Sequence, residues 1–394
     1  MLEQTAELKQ KFYDLYGSDA RVFRAPGRVN LIGEHTDYND GFVLPAAIDL
    51  YTWAAVAPRG DRKLSIHSAN YSEGREFSLD DPDPRPSNHW SDHPRGVTVA
   101  LEKRGHRLRG ANVLIKGEVP IGGGLSSSAA IEVAMGLAMV ENSKLSIDRT
   151  ELARLCQSAE NEFVGMRCGI MDQFISCCGR AGYAMLLDCR SLDYRLLPLV
   201  EEVKLVICNT MVKHELADSQ YNTRREECAA GASQIARRLS GVRSLRDVTL
   251  DDLNRYGDDL PDTIYRRCRH VISENARVIQ AAKALERGVL DEFGRLMAAS
   301  HRSLRDDYEV SCAELDLMTE LAGKLEGVYG ARMTGGGFGG CTINLVEAGR
   351  VEEFKHAIRQ GYEQSTGLAP DIYTCVAACG ALEVLSHQPP ELQN

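Results

Sequence analysis

The 394-residue chain has no run approaching the ~18 consecutive apolar residues that cross a bilayer, so no membrane-spanning helix is expected. Its first residues, Met1-Leu2-Glu3-Gln4-Thr5, are polar and acidic with none of the apolar core of a secretory leader, and the expected location is the cytoplasm. Basic charge is in deficit: 46 Lys and Arg stand against 56 Asp and Glu, a net charge of −10 that argues against a nucleic-acid surface. An anionic ligand would therefore need a locally positive pocket. The 12 cysteines contain no Cys-x-x-Cys spacing, and Cys177-Cys178 is the one adjacent pair. That scatter excludes a zinc or disulfide framework and suits buried thiols in a reducing compartment. No internal repeat stands out. With 43% hydrophobic and 26% charged residues the composition is that of a soluble globular protein, and the length predicts two domains.

One stretch organises the rest. Lys116 to Glu132 joins a short apolar strand, Asn112–Ile115, to a long Ala-, Met- and Val-rich helix through Gly122, Gly123, Gly124, Leu125 and the serines Ser126, Ser127 and Ser128. No Lys-Ser or Lys-Thr follows the glycines and no spaced third glycine is present, which excludes the Walker loop and the dinucleotide fingerprint. Glycines let a backbone approach a ligand closely, and the unpaired N–H groups of a helix start favour an anion. The three hydroxyls can cap the helix, donate to phosphate oxygens or supply an oxygen to Mg²⁺. The alternative is a glycine-rich turn with an ordinary serine N-cap.

Upstream, residues 1–19 have the spacing of a capping helix that stops at Gly17. A strand around Val22 then gives way to a polar cluster in which Arg28, Glu34, His35 and Asp37 fall within ten residues, with Pro26, Gly27 and Gly33 shaping turns. Carboxylates and an imidazole so arranged suit a polyol, whose hydroxyls both donate and accept; a solvated surface loop is the alternative. Phe42–Ala57 reads as paired strands, Lys63–His67 as a short strand, and Asp80–Pro94 as a loop broken by four prolines. Thr150–Phe163 has helical spacing with Glu160 near its end, and Asp172 lies in apolar, glycine-bounded company. It is a candidate general base or a buried strut. Tyr183–Cys189 and Val203–Asn209 read as strands, with a domain boundary in Asp188–Pro198. A polar helix starts at Ser219 and carries Tyr221, residues 243–325 are mainly helical, and Arg332–Val346 puts five glycines ahead of a strand. A structural role is expected for His301, and Leu382–Asn394 reads as a loose tail.

Two of these stretches together resemble a known family. Arg24-Ala25-Pro26-Gly27-Arg28-Val29-Asn30-Leu31-Ile32-Gly33-Glu34-His35-Thr36-Asp37-Tyr38 is similar to the signature of galactokinases, within the GHMP family of small-molecule kinases. The Gly122–Ala130 loop resembles that family's ATP-phosphate loop, with Gly122-Gly123-Gly124 where Gly-Ala-Gly is usual. Cys168–Gln173 resembles the family's Cys-Gly-Ile-Met-Asp-Gln motif, and Arg332–Val346 its third, site-closing loop. The likeness runs from about Arg24 to about Val376.

The resemblance implies an α+β fold, with an N-terminal domain (1–190) like ribosomal protein S5 domain 2, a ferredoxin-like C-terminal domain (191–394) and the active site between them. It implies ATP-dependent phosphorylation of α-D-galactose at C1, the first committed step of galactose catabolism. Asp172 would be the base and Arg28 its charge partner; Glu34, His35, Asp37, Gly169 and Tyr221 would hold the sugar. Gly122, Gly123, Gly124, Leu125, Ser126, Ser127 and Ser128 would cradle the phosphates, with Ser128 and Glu160 on Mg²⁺. Trp90, in Trp90-Ser91-Asp92-His93 where the family has Trp-Ala-Asn-Tyr, would lie near the adenine. Its alternative is a loop anchor. Two other functions stay open: a kinase of the same family for N-acetylgalactosamine or arabinose, and a non-catalytic galactose- and ATP-binding regulator. Small molecules are the expected partners, with a monomer compatible with everything above.

Overall fold

The computed structural model describes residues 2–213 and 217–385. The chain begins with α1 (Leu2–Tyr16), β1 (Arg21–Asn30), β2 (Phe42–Val43), β3 (Pro45–Pro58), β4 (Lys63–Ser68) and β5 (Glu73–Ser78). Next come α2 (Asp92–Lys103), β6 (Ala111–Gly117), α3 (Ser127–Ser143), α4 (Arg149–Ser158) with a π-helical turn at Ala159–Val164, and α5 (Met171–Cys178). Strands β7 (Tyr183–Asp188), β8 (Tyr194–Pro198) and β9 (Val203–Lys213) lead to the helices α6 (Ala217–Ala236), α7 (Leu250–Tyr256), α8 (Asp262–Glu286) and α9 (Leu290–Ser303). A second π-helical turn, Leu304–Tyr308, precedes α10 (Ala313–Gly323), β10 (Val328–Thr334), β11 (Gly339–Glu347), α11 (Val351–Thr366), β12 (Asp371–Cys375) and β13 (Leu382–Glu383). The fold is α+β, as expected.

Two sheets matter for the site. The first has the order β13-β1-β3-β6-β4-β5, the second β10-β11-β9-β12, and a small third sheet, β2-β7-β8, lies beside them. Alternation along each strand decides what each face meets. On β3, Ala54 and Val56 join the core under α2, α3, α4 and α5, whereas Trp53, Ala55 and Ala57 turn to the opposite face, which α1 covers with Leu8 and Phe12. On β9, Val206 and Cys208 face α10 and α11, while Leu205 and Ile207 enter a core shared with α8, α9 and residues Val29, Leu31, Leu44 and Leu186. That shared core locks the two sheets together. Fully burying each such Val, Leu or Ile contributes about 1.5–3 kcal/mol.

Several expectations are corrected by this topology. Pro26 and Gly27 form no turn: β1 runs through them, with a register shift between Pro26 and Arg28 where the strand bulges, a position that tolerates a residue without an N–H. Phe42–Ala57 does not pair with itself, because no turn residue separates Val43 from Pro45 and the chain passes straight from one sheet into another. Strand β2 pairs with β7, and β3 lies between β1 and β6. The loop read as ending at Pro94 stops sooner, since α2 starts at Asp92 and Pro94 sits in its first turn, where its missing N–H costs nothing. The boundary stretch holds β8, paired on β7. The tail is tied down at its start, because Leu382 and Glu383 pair with Arg24 and Phe23; residues 386–394 lie outside the described residues.

Helix α9 approaches β10 at a pair of glycines. A Cβ at Gly294 would lie 1.6 Å from the Tyr329 carbonyl oxygen, whereas one at Gly323, the last residue of α10, meets nothing within 4 Å. Gly294→Ala should therefore lower stability by about 3 kcal/mol, the upper end of overpacking costs. Gly323→Ala should be neutral or stabilise by about 0.5 kcal/mol. Urea denaturation of the two variants checks the contrast.

Candidate active site

The glycine stretch and the polar cluster meet in a cavity of about 250 Å³ whose lining includes Arg28, Glu34, His35 and Asp37, Gly122 and Gly124–Ser128, Glu160, Gly169, Asp172, Tyr221 and Gly335–Gly340. The two sheets each deliver a glycine loop, and these touch backbone to backbone: a Cβ at Gly335 would lie 2.7 Å from the Gly124 carbonyl oxygen. Gly335–Gly340 closes the β10–β11 hairpin, so it is both a tight turn and a wall of the cavity. Three non-glycine residues of the lining, His35, Ser126 and Phe338, hold a positive φ. Such backbone costs on the order of 1–2 kcal/mol per residue and persists only where the surroundings impose it.

Arg28 is the hub. Its Nε and Nη2 donate to Asp172 Oδ1 and Oδ2 at 2.7 and 2.8 Å, and its Nη1 donates to the Gly124 carbonyl at 2.6 Å. The guanidinium is buried, and although burial works against its charge, the neighbouring Asp172 and Glu34 carboxylates hold its pKa above the ordinary value. The Ser126 hydroxyl also donates to Asp172, in a short contact. Ser126 precedes α3 and makes no side-chain cap, which removes the plain serine-cap reading. Asp172 itself stands in the first turn of α5.

The polar cluster is placed by a second set of bonds. The Glu34 carboxylate takes hydrogen bonds from the Gly335 N–H at 2.7 Å, from Asn30 and from Arg332, and burial pushes its pKa up while Arg332 and Arg28 pull it back. Burial drives the His35 pKa down to about 3, so the ring is neutral. Its Nε2 lies 3.2 Å from the Gly336 carbonyl, which can only accept, so Nε2 carries the proton. Nδ1 must then accept from the Tyr38 hydroxyl at 2.7 Å, and Tyr308 lies 2.8 Å behind Tyr38. Both ring nitrogens are thus engaged. The imidazole fixes the second glycine loop while its ring lines the cavity.

Asp37 is pushed up to about 7 by burial and then by the Asp172 charge. A Cβ at Gly169 would lie 1.9 Å from Asp37 Oδ2, so only glycine admits this carboxylate. Tyr221 lines the cavity beside His35, ring centroids 5.4 Å apart. Two expected residues stand apart. Gly123 is absent from the lining and backs onto Cys341 Sγ and Asn209; Trp90 is also absent, stacked on Tyr71 with centroids 6.0 Å apart. His301 bonds Thr319 and Asp316, the structural role expected.

Glu160, in the π-helical turn, is buried and raised to about 7 by burial and by Glu132, partly offset by His93. It accepts from Ser128, Cys168 and Gln173. A hard divalent cation takes oxygen ligands, and the Ser128 hydroxyl and Glu160 carboxylate share the cavity wall. Because a cation would also hold Glu160 ionised, this pair fits Mg²⁺. The sequence reading missed Asn30, Arg332, Glu132, His93 and Gln173. For Glu132 a signal existed: it is the lone carboxylate in the helix from Ser127 to Val140 whose apolar face nearly closes round.

Comparison with known proteins agrees with this geometry. Residues 93–180 match the GHMP kinases N terminal domain and residues 281–364 the GHMP kinases C terminal domain, which defines the class as a GHMP kinase. Residues 10–58 match the galactokinase galactose-binding signature. The chain is 48% identical to a galactokinase of Roseiflexus sp. (strain RS-1), covering 98% of this chain and 99% of that one, and 48% identical to one of Chloroflexus aggregans, covering 91% and 92%. It superposes on a crystal structure of Lactococcus lactis galactokinase complexed with galactose with a TM-score of 0.94 at 38% identity, over 97% of this chain and 100% of that one. The chain belongs to the galactokinase family.

The raised carboxylates predict a pH dependence. Asp37 and Glu160 bind their protons more tightly folded (about 7) than at their ordinary values of 3.8 and 4.5, so the folded state holds more protons than the unfolded chain. Their contribution is fullest below the ordinary values and is lost as pH rises towards 7. The ligand-free Tm of the wild type should fall between about pH 5 and pH 7.5 by more than that of Asp37→Asn or Glu160→Gln, read by calorimetry. Equal slopes in all three would refute these protonation states.

Proposed function

We propose that this chain transfers the γ-phosphoryl group of ATP to the C1 hydroxyl of α-D-galactose, giving galactose 1-phosphate and ADP. The observation that carries the mechanism is the buried, bidentate Arg28–Asp172 pair set against the Gly124 carbonyl of the first glycine loop. Phosphoryl transfer needs positioning and charge stabilisation more than covalent help. Gly122–Ser128 at the start of α3 supports the phosphates with unpaired backbone N–H groups and hydroxyls.

In this reading Asp172 accepts the C1 hydroxyl proton. The Arg28 guanidinium and the Ser126 hydroxyl keep that carboxylate aimed, and Arg28 steadies negative charge as it moves. Glu34, Asp37 and Tyr221 hold the sugar hydroxyls, with Gly169 giving Asp37 its room and His35 fixing the wall at Gly336. Ser128 and Glu160 would hold Mg²⁺, which neutralises phosphate charge when bound. The Trp90–Tyr71 stack offers an aromatic surface for the adenine.

The two-domain division near residue 190 belongs to the same reading: β1–β7 precede it and β9–β12 follow it, while β8 pairs back on β7 and β13 returns to the first sheet. A reducing, cytoplasmic setting is supported by twelve cysteines that are all free thiols. Among the described residues no helix is long and apolar enough to cross a membrane.

ADP release with ATP and Mg²⁺, measured with galactose beside glucose, N-acetylgalactosamine and arabinose, should show turnover with galactose. Preference for another sugar would reassign the substrate, and galactose binding without ADP release would favour a regulator. Asp172→Asn should reduce turnover about 10²–10⁴-fold with ATP binding retained by calorimetry. Near-normal turnover in that variant would remove Asp172 from the base role.

A further inference from the structure

Behind the phosphate loop lies a cluster that the proposed reaction does not use in full. His93 in the first turn of α2, Glu132 one turn after Ser128 on α3, and Glu160 in the π-helical turn converge so that one ligand atom of each lies within 4.8 Å of the others. His93 Nδ1 is 2.9 Å from Glu132 Oε1. The Gln173 amide sits among them, its Nε2 donating to Glu132 Oε2 at 3.0 Å and to Glu160 Oε2 at 2.6 Å.

The cluster is short of positive charge. Glu132 and Glu160 are buried, and among the described residues neither forms an ion pair with Lys or Arg; the one basic group at hydrogen-bonding distance is the His93 imidazole. Two neighbouring carboxylates removed from water are costly to ionise, and either protons or a cation between them relieve that cost. A second observation points the same way. Gln173 is fully buried, with its Nε2 committed to the two carboxylates, and its Oε1 has no hydrogen-bond partner. A water on a cation in the cluster would give that oxygen a donor.

The donor set also selects the ion. Mg²⁺ prefers oxygen ligands throughout, whereas an imidazole nitrogen with carboxylate oxygens suits a first-row transition dication. Ligands about 2.0–2.2 Å from such an ion lie at most about 4.4 Å apart, so a small contraction of the cluster brings all three donors onto one centre. Cys168 Sγ, 3.1 Å from Glu160 Oε2, sits at its edge.

We propose that His93, Glu132 and Glu160 bind a divalent transition-metal ion of the Mn²⁺, Co²⁺ or Zn²⁺ class without nucleotide, on the protein side of the phosphate loop. The inference rests on the reading of Glu160 as a metal-binding carboxylate, but it requires neither sugar nor ATP. A cation there ties α2, α3 and the π-helical turn together before substrates arrive, with Glu160 as the carboxylate shared with the nucleotide-side Mg²⁺.

Full-length protein stripped with a chelator and titrated with Co²⁺ in the absence of nucleotide should bind about one equivalent, seen as new visible absorption bands. His93→Gln and Glu132→Gln should each weaken that binding at least about tenfold. Circular dichroism and galactose calorimetry report whether each variant is folded. Absence of nucleotide-free Co²⁺ binding in the wild type, or undiminished binding in both folded variants, would overturn the proposal. Mn²⁺ binding followed by electron paramagnetic resonance with ATP present separates the two readings. ATP-dependent binding alone refutes the nucleotide-free site while keeping Ser128 and Glu160 as Mg²⁺ ligands, and no Mn²⁺ binding with or without ATP removes both.

Discussion

The buried guanidinium of Arg28 is the constraint around which the site is built. One planar group bonds both oxygens of Asp172 and the Gly124 carbonyl, so it fixes the Asp172 carboxylate relative to the backbone of the first glycine loop. Hydrogen bonds to a charged group are worth about 1.5–3 kcal/mol each, and a fork of parallel bonds adds direction to strength. A lysine could supply the charge but not the fork. Placing Arg28 just after the β1 bulge turns its side chain into the cavity, and the shared core of the two sheets keeps it there.

Acidic groups dominate the rest of the cavity, and the structure manages their repulsion by burial and by selective pairing. Asp172 and Glu34 have arginine partners; Asp37 and Glu160 have none of comparable closeness and are raised to about 7. The result is a graded set of carboxylates in one cavity, with Glu34 raised by burial but pulled back by its arginines, and Asp37 and Glu160 poised near pH 7. That grading suits a site that must receive both polar hydroxyls and highly charged phosphates. In a chain of net charge −10, the buried Arg28 and the helix-start N–H groups of α3 bring local positive character to one cavity.

Much of this was legible in the sequence because the informative residues are close together along it. The Arg24–Tyr38 stretch, the Gly122–Ser128 loop and the Cys168–Gln173 segment each contain several groups that face the same cavity. Residues whose meaning depends on a distant partner were not legible. Glu132 pairs with His93 39 positions away and with Gln173 41 positions away, and Arg332 reaches Glu34 across 298 positions. Trp90 is a further case, since its motif position said nothing of the Tyr71 ring on which it stacks, outside the cavity lining.

The sequence by itself determined the local elements and the family. Period-2 and period-3.6 patterns, a glycine run at a helix start and three ordered motifs need only neighbouring residues to be read. The tertiary structure decided which charges face one another and therefore which are ionised. Arg28 and Asp172 are 144 positions apart, and only folding removes them from water together; protonation depends on burial and on neighbours in space, neither of which a linear spacing contains. The same reasoning covers His35, whose neutral ring and committed nitrogens follow from the burial and the Gly336 carbonyl that the second sheet brings to it.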